Sequence, residues 1–306
     1  MMPKGPKSGE RALAYPGSQG SNGDPDSLEE DSVKRLVLVA GAITLVAAGA
    51  ANARTEATKI RIAASMAAAE EVPTPKGDVG GASGTFTGTL TKTDSGGSLA
   101  WQLSFTGLSG NAIAAHIHVA DRGKPGPVVV PLCAPCTSGA SGTANITTTV
   151  LQAIEGDRAY VNVHTPTNPA GEIRGQLSPV AGVKIGLRAS QERPKPKGNV
   201  RRARGTLTAT FAKTGSTGVI VWRLSFSRLT GKAIAAHIHS GRRGIAGPVI
   251  VPLCAPCKSG ASGRTTVSAS VLTALESGGT YVNVHTRKNA AGEIRAQLPA
   301  VPLTLS

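Results

Sequence analysis

The chain has 306 residues, room for two ordinary domains that could each bury a core. Aromatics make up 3% of it, while Gly, Thr, Ser, Ala and Val dominate beyond the N-terminal segment, a composition suited to short strands and tight turns and poor in helical signals. The formal net charge is +15, but so few aromatics for stacking bases, with the export signal below, argue against nucleic acid as the partner.

Residues 1–32 are polar and rich in Gly, Pro, Ser and Asp, so they bury too little apolar surface to offset the entropy of ordering. A disordered or untranslated extension is expected, and initiation at a valine codon at position 33 would leave it unmade. Val33-Lys34-Arg35, the apolar run Leu36 to Ala48 and Ala51-Asn52-Ala53 read as the basic, hydrophobic and cleavage regions of a signal peptide at 33–53. The run is shorter than the about 20 apolar residues a membrane span needs, so contact with a membrane would come only through an uncleaved signal.

A shift of 121 residues superimposes the rest of the chain on itself without a gap, setting Trp101 on Trp222 and Tyr160 on Tyr281. A repeat this long is a whole domain, because solenoid units run roughly 20 to 50 residues. The expected copies are 54–179 and 180–306. β-rich runs recur in the first copy at Gly84 to Leu90, Leu99 to Phe105, Ala112 to Val119, Pro127 to Leu132, Thr143 to Val150, Arg158 to Thr165 and Gly171 to Leu177. Seven short strands predict an all-β protein of two tandem antiparallel, Greek-key-like β-sandwiches. Helical turns are expected at Val150 to Glu155 and Val271 to Glu276. Trp101, Leu103 and Phe105 share one face of a strand by its period of two and are core candidates.

The same alternation places His116 and His118 on one strand face, and likewise His237 and His239. Tyr160, Asn162 and His164 share a face of a later strand, as do Tyr281, Asn283 and His285. After the next turn Glu172 and Arg174 alternate together, as do Glu293 and Arg295. If those strands are neighbours, three histidines and a carboxylate converge on a site suited to copper or zinc. The alternative is a hydrogen-bonded polar cluster in which Glu172 pairs with Arg174 and the histidines bond backbone carbonyls. Cys133 and Cys136, and Cys254 and Cys257, have redox-motif spacing but are followed by Ser/Gly-rich loop; in an oxidising compartment each pair is expected to close a local disulfide. No nucleophile elbow, phosphate-cradling loop or dinucleotide fingerprint is present, and a non-enzymatic protein is expected.

Charge is divided unevenly. Residues 54–179 hold nine Lys/Arg against nine Asp/Glu, whereas 180–306 hold nineteen against three. Arg201, Arg202, Arg204, Arg242, Arg243, Arg287 and Lys288 fall in expected turns of the second copy and are candidates for binding an anionic polymer.

The segments Ala115-His-Ile-His118, Gly126-Pro-Val-Val129, Tyr160-Val-Asn-Val-His-Thr165 and Gly171-Glu-Ile-Arg-Gly-Gln176 resemble the CHRD domain, named from chordin. The second copy repeats them as Ala236-His-Ile-His239, Tyr281-Val-Asn-Val-His-Thr286 and Gly292-Glu-Ile-Arg295, departing at Ala296, where the first copy has Gly175. The resemblance implies a secreted or cell-surface β-sandwich, of a kind found in microbial proteins, used as a binding or structural module with no established catalytic reaction. The expected partner is an extracellular protein or, from the charge of the second copy, an anionic cell-wall polymer. The His-x-His strand is also similar to the copper-binding strand of copper/zinc superoxide dismutases. Its other ligand histidines have no clear equivalents, so a redox alternative would rest on His116, His118 and His164.

Overall fold

The computed structural model describes residues 59–93 and 95–304; the extension and signal expected at 1–53 lie outside them. No helix among the described residues is long and apolar enough to cross a membrane.

The first copy opens on β1 (Lys59–Ala67), whose Ile60, Ile62, Ala64 and Met66 alternate into the core. β2 (Ser83–Thr93) joins β1 to β3 (Gly96–Thr106), and β3 pairs with β6 (Ser141–Thr147), forming one sheet. The other sheet runs β5 (Val128–Cys133), β4 (Ala114–Val119), β7 (Ala159–His164), β8 (Ile173–Gln176). Every pairing is antiparallel, and the sheets meet at one corner, where Ala67 of β1 pairs with Arg174 of β8. Chain crossings from one sheet to the other after β3, β5 and β6 bring β6 beside β3 and β7 beside β4.

Phe86, Leu90, Leu99, Trp101 and Leu103 from one sheet meet Ala115, Ile117, Val161, Val163 and Ile173 from the other. The rings of Phe86 and Trp101 stack with centroids 6.5 Å apart. Gly142 is required beside them, since a Cβ there would stand 2.9 Å from the indole. After β6, α1 (Thr148–Glu155) is capped by Thr147, whose hydroxyl accepts from the Val150 N–H at 3.3 Å, and it buries Val150, Leu151 and Ile154. The residues expected to end a strand at Thr148 to Val150 thus begin the helix.

The second copy repeats the plan with β9 (Ser178–Arg188), β10 (Arg204–Thr214), β11 (Thr217–Ser227), β12 (Ala233–Ser240), β13 (Val249–Cys254), β14 (Ala261–Val267), α2 (Ala269–Glu276), β15 (Thr280–Thr286) and β16 (Ile294–Gln297). Each copy therefore carries one strand more than expected, β1 or β9. Both are poor in the residues that favour strands: β1 is alanine-rich and β9 contains Pro179, Gly182 and Gly186. The long antiparallel registers they form, β1 with β2 and β9 with β10, override that weakness.

β9 also joins the copies. Its Ser178, Pro179 and Val180 pair with Ala63, Ile62 and Arg61, continuing the register that Arg174 begins with Ala67. From Val180 to Arg188 the same strand pairs with Ala212 to Arg204. The boundary expected between 179 and 180 falls inside this strand. Both cysteine pairs form disulfides, Cys133 with Cys136 and Cys254 with Cys257, each with Cα atoms 5.2 Å apart.

Candidate metal centre

One face of the β5-β4-β7-β8 sheet is core. Its other face carries the polar residues that alternate with Ile117, Val161 and Val163. The register sets Ala114 opposite His164, His116 opposite Asn162, and His118 opposite Tyr160; Asn162 and Tyr160 in turn face Arg174 and Gln176. The loop after β4 lies over this face, because the Gly126 N–H donates to the Tyr160 hydroxyl at 2.9 Å and Arg174 Nη1 donates to the Lys124 carbonyl at 2.8 Å.

Three histidines meet there, as expected. The ring centroids of His116 and His164 are 4.9 Å apart, and His118 is 5.8 Å from each. One ring nitrogen from each lies within 4.8 Å of the other two. The protons are fixed by backbone partners. Nδ1 of His118 is 2.9 Å from the Gly126 carbonyl and Nδ1 of His164 is 3.0 Å from the Pro169 carbonyl. A carbonyl only accepts, so both Nδ1 atoms are donors and both Nε2 atoms carry lone pairs. His164 Nε2 lies 3.1 Å from His116 Nδ1, while His118 Nε2 is buried near Asn162 and makes no well-formed hydrogen bond among the described residues.

The second copy reproduces this arrangement. His239 donates to Gly247, His285 donates to Ala290, His237 Nδ1 lies 3.1 Å from His285 Nε2, and His239 Nε2 is again buried with no well-formed hydrogen bond among the described residues. Burial holds all six imidazoles below the usual histidine range. For His164 and His285, burial, joined by the neighbouring histidines, brings the value down to about 4. All are neutral at physiological pH, the form that binds a transition metal.

Tyr160 stacks on His118, rings 13° from parallel, and the Arg174 guanidinium sits 3.4 Å above the Tyr160 ring. Tyr281, His239 and Arg295 repeat the stack, and Arg295 Nη2 donates to the carbonyls of Arg242 and Ile245. Both arginines are almost wholly buried.

Glu172 departs from expectation. It joins neither the histidines nor Arg174: its carboxylate accepts from the Thr165 hydroxyl, Asn168 Nδ2, and the N–H and hydroxyl of Ser109. Burial alone would raise its pKa, but those hydrogen bonds hold it below the carboxylate range. Glu293 does the same with Thr230, Thr286 and Asn289. The reason is position. Glu172 precedes β8, after the turn at Gly171, so strand alternation no longer aims its side chain.

The carboxyls that do approach the histidine face are Glu71 and Glu192, which sequence reasoning missed. Glu71 Oε2 lies 3.5 Å from Asn162 Nδ2, and Oε1 accepts from the Val72 N–H at 3.0 Å. A signal existed. The second copy keeps only Glu192, Glu276 and Glu293, and each stands 121 residues beyond a glutamate of the first copy.

The expected basic residues divide. Arg242 and Arg243 are exposed on the loop that covers Arg295; Arg201, Arg202 and Arg204 are exposed around the start of β10, and Arg287 and Lys288 are exposed in the turn after β15. They come from three separate stretches of chain, and Lys288 reaches the Gly198 loop that leads to Arg201.

No curated protein and no solved structure matches the chain. The model of the CHRD domain matches it twice, over residues 62–177 and 183–298, each match spanning one β-sandwich and one histidine cluster. The chain belongs to the CHRD domain family and carries the domain in tandem.

Proposed function

We propose that this is an exported, non-catalytic binding protein in which each CHRD domain takes one copper or zinc ion between its three histidines. The observation that carries this reading is the fixed proton arrangement. Nδ1–H bonds to backbone carbonyls are the usual way a protein orients a metal-ligating imidazole, and here they leave an Nε2 lone pair buried and unused. The hydrogen-bonded alternative explains the carbonyl bonds. It does not explain the orphaned nitrogen, which costs about 1–3 kcal/mol where nothing fills it.

The spacing suits a small ion. Metal–nitrogen bonds of about 2.0–2.1 Å set tetrahedral ligands about 3.3 Å apart, against 3.1 Å between His116 Nδ1 and His164 Nε2. His118 and His164 would ligate through Nε2, and His116 through Nδ1 once its proton moves to Nε2. An all-imidazole donor set favours copper or zinc over magnesium or calcium. The redox alternative has no support beyond these same ligands. Export is supported by the disulfides and by the domain family, and a bias of the second copy toward anionic polymers is supported by its nineteen Lys/Arg against three Asp/Glu.

Metal analysis of the full chain after loading and dialysis tests the assignment. Two equivalents are expected, one per cluster. One should remain when His116 and His118 become alanine, and none when His237 and His239 are replaced as well. Wild-type protein that retains no copper or zinc overturns the reading.

A further inference from the structure

The second copy has a cleft of about 540 Å³ between the end of β9 and the loop leading to β10. Arg188, Arg193, Lys195 and Arg201 line it, and all four are exposed. Lys288 closes on it, since a Cβ placed on Gly198, in the cleft wall, would stand 2.6 Å from its ammonium nitrogen. Five cations therefore converge on a small volume.

Among the described residues no carboxylate lines the cleft, and the one beside it is Glu192, whose buried carboxyl acts on Arg193. The second copy has three Asp/Glu: Glu192 and Glu293 are wholly buried, and Glu276 accepts from the Thr304 hydroxyl. The first copy provides an internal comparison. At the positions of Arg188, Arg193, Lys195 and Arg201 it has Ala67, Val72, Thr74 and Gly80, and where the second copy has Asn199 it has Asp78. One fold has been given a cationic cleft in one copy and an uncharged or acidic wall in the other.

The wall is also held in place before any ligand arrives. Buried Asn289 accepts from the Lys197 N–H at 2.6 Å and donates to the Lys197 carbonyl at 3.3 Å, and the Arg193 guanidinium donates to the carbonyls of Ser190 and Glu192. A fixed loop spares the ligand the entropy of ordering it. No aromatic residue lines the cleft, so neither sugar rings nor bases would stack there. Recognition must come from anions, and five cations in so small a space call for anions packed closely.

We propose that this cleft binds closely spaced phosphate groups, which the planar forks of its three arginines match in pairs. The inference goes beyond the histidine site and is independent of it. A free oligophosphate and a phosphodiester polymer of the cell envelope share this chemistry.

The test measures binding of tripolyphosphate, a poly(glycerol phosphate) chain and polygalacturonate to the full chain across a salt series. Arg188→Ala, Arg193→Val, Lys195→Thr and Arg201→Gly together install residues that the first copy accepts at the same places. A control variant with Lys184, Arg223, Lys232 and Lys258 changed to glutamine removes equal charge elsewhere.

The cleft variant is expected to lose at least about tenfold in phosphate affinity, and its slope of log affinity against log salt to flatten by about 3; the control should change little. Tight tripolyphosphate binding identifies a free oligophosphate as sufficient, whereas binding of the polymer alone identifies the envelope source. Equal loss in the control variant, equal affinity for polygalacturonate, or no binding of either phosphate probe at low salt overturns the proposal. Metal content measured on the same samples keeps this outcome separate from that of the histidine site.

Discussion

Glu71 and Glu192 lie under the polar face with almost no exposed surface, and burial lifts both carboxyls to about 7. The N–H groups of Val72 and Arg193 and the charges of Arg174 and Arg295 pull the other way without prevailing. A carboxyl raised from 4.5 in the unfolded chain stabilises the fold fully below pH 4.5 and loses that contribution as pH rises through 7, about 3 kcal/mol per copy. His164 and His285, lowered from 6.5 to about 4, act in the opposite sense: their contribution is present above pH 6.5 and is lost as pH falls through 4. The wild-type profile is therefore shallower than either part. Comparing Glu71→Gln with wild type in denaturant titrations isolates the carboxyl, and the variant should gain up to about 3 kcal/mol relative to wild type between pH 4.5 and 7. A difference that stays constant over that range refutes the assignment. The histidines, Tyr160, Asn162 and Arg174 were legible because they sit inside strands, where a period of two fixes the face. Glu71 and Glu172 were not, because both lie in turns and their direction is set by the partners the fold brings to them.

Among the elements, the loop after β5 shows what local sequence specifies well. Cys136 is buried in the core, its N–H donates to the Ala112 carbonyl just before β4, and its disulfide to Cys133 closes a loop of four residues. By the chain-entropy relation so short a loop is stabilised by about 2 kcal/mol. Replacing Cys133 and Cys136 by alanine should lower the melting temperature while leaving two metal equivalents bound, read by calorimetry and metal analysis on the same sample. An unchanged melting temperature would show the bridge to be energetically idle. The pairing was legible from spacing and compartment alone. β1 and β9 were not, because alanine, glycine and proline carry no strand signal, and what makes these segments strands is the long register each forms with its neighbour, β1 with β2 and β9 with β10.

At the scale of the molecule, β9 makes the two copies one body. Val180 is the residue at which the strand passes from one copy to the other: it pairs with Arg61 of the first and Ala212 of the second, and with Ala63 and Ala212 it forms a small buried cluster of its own. A strand that belongs to two sheets cannot leave one without loosening the other, so both copies should unfold in one calorimetric transition whose van't Hoff and calorimetric enthalpies agree. Ala212 is 1% exposed, and Ala212→Asp would place a charge there that no arrangement of Ala63 and Val180 can satisfy, at a cost of several kcal/mol. The cheapest relief is to part the copies at Val180, leaving each core closed. The variant should then melt in two steps, the earlier one assigned by which histidine cluster loses its metal first. A single transition in the variant, merely shifted to lower temperature, would mean that the copies are coupled by more than this strand.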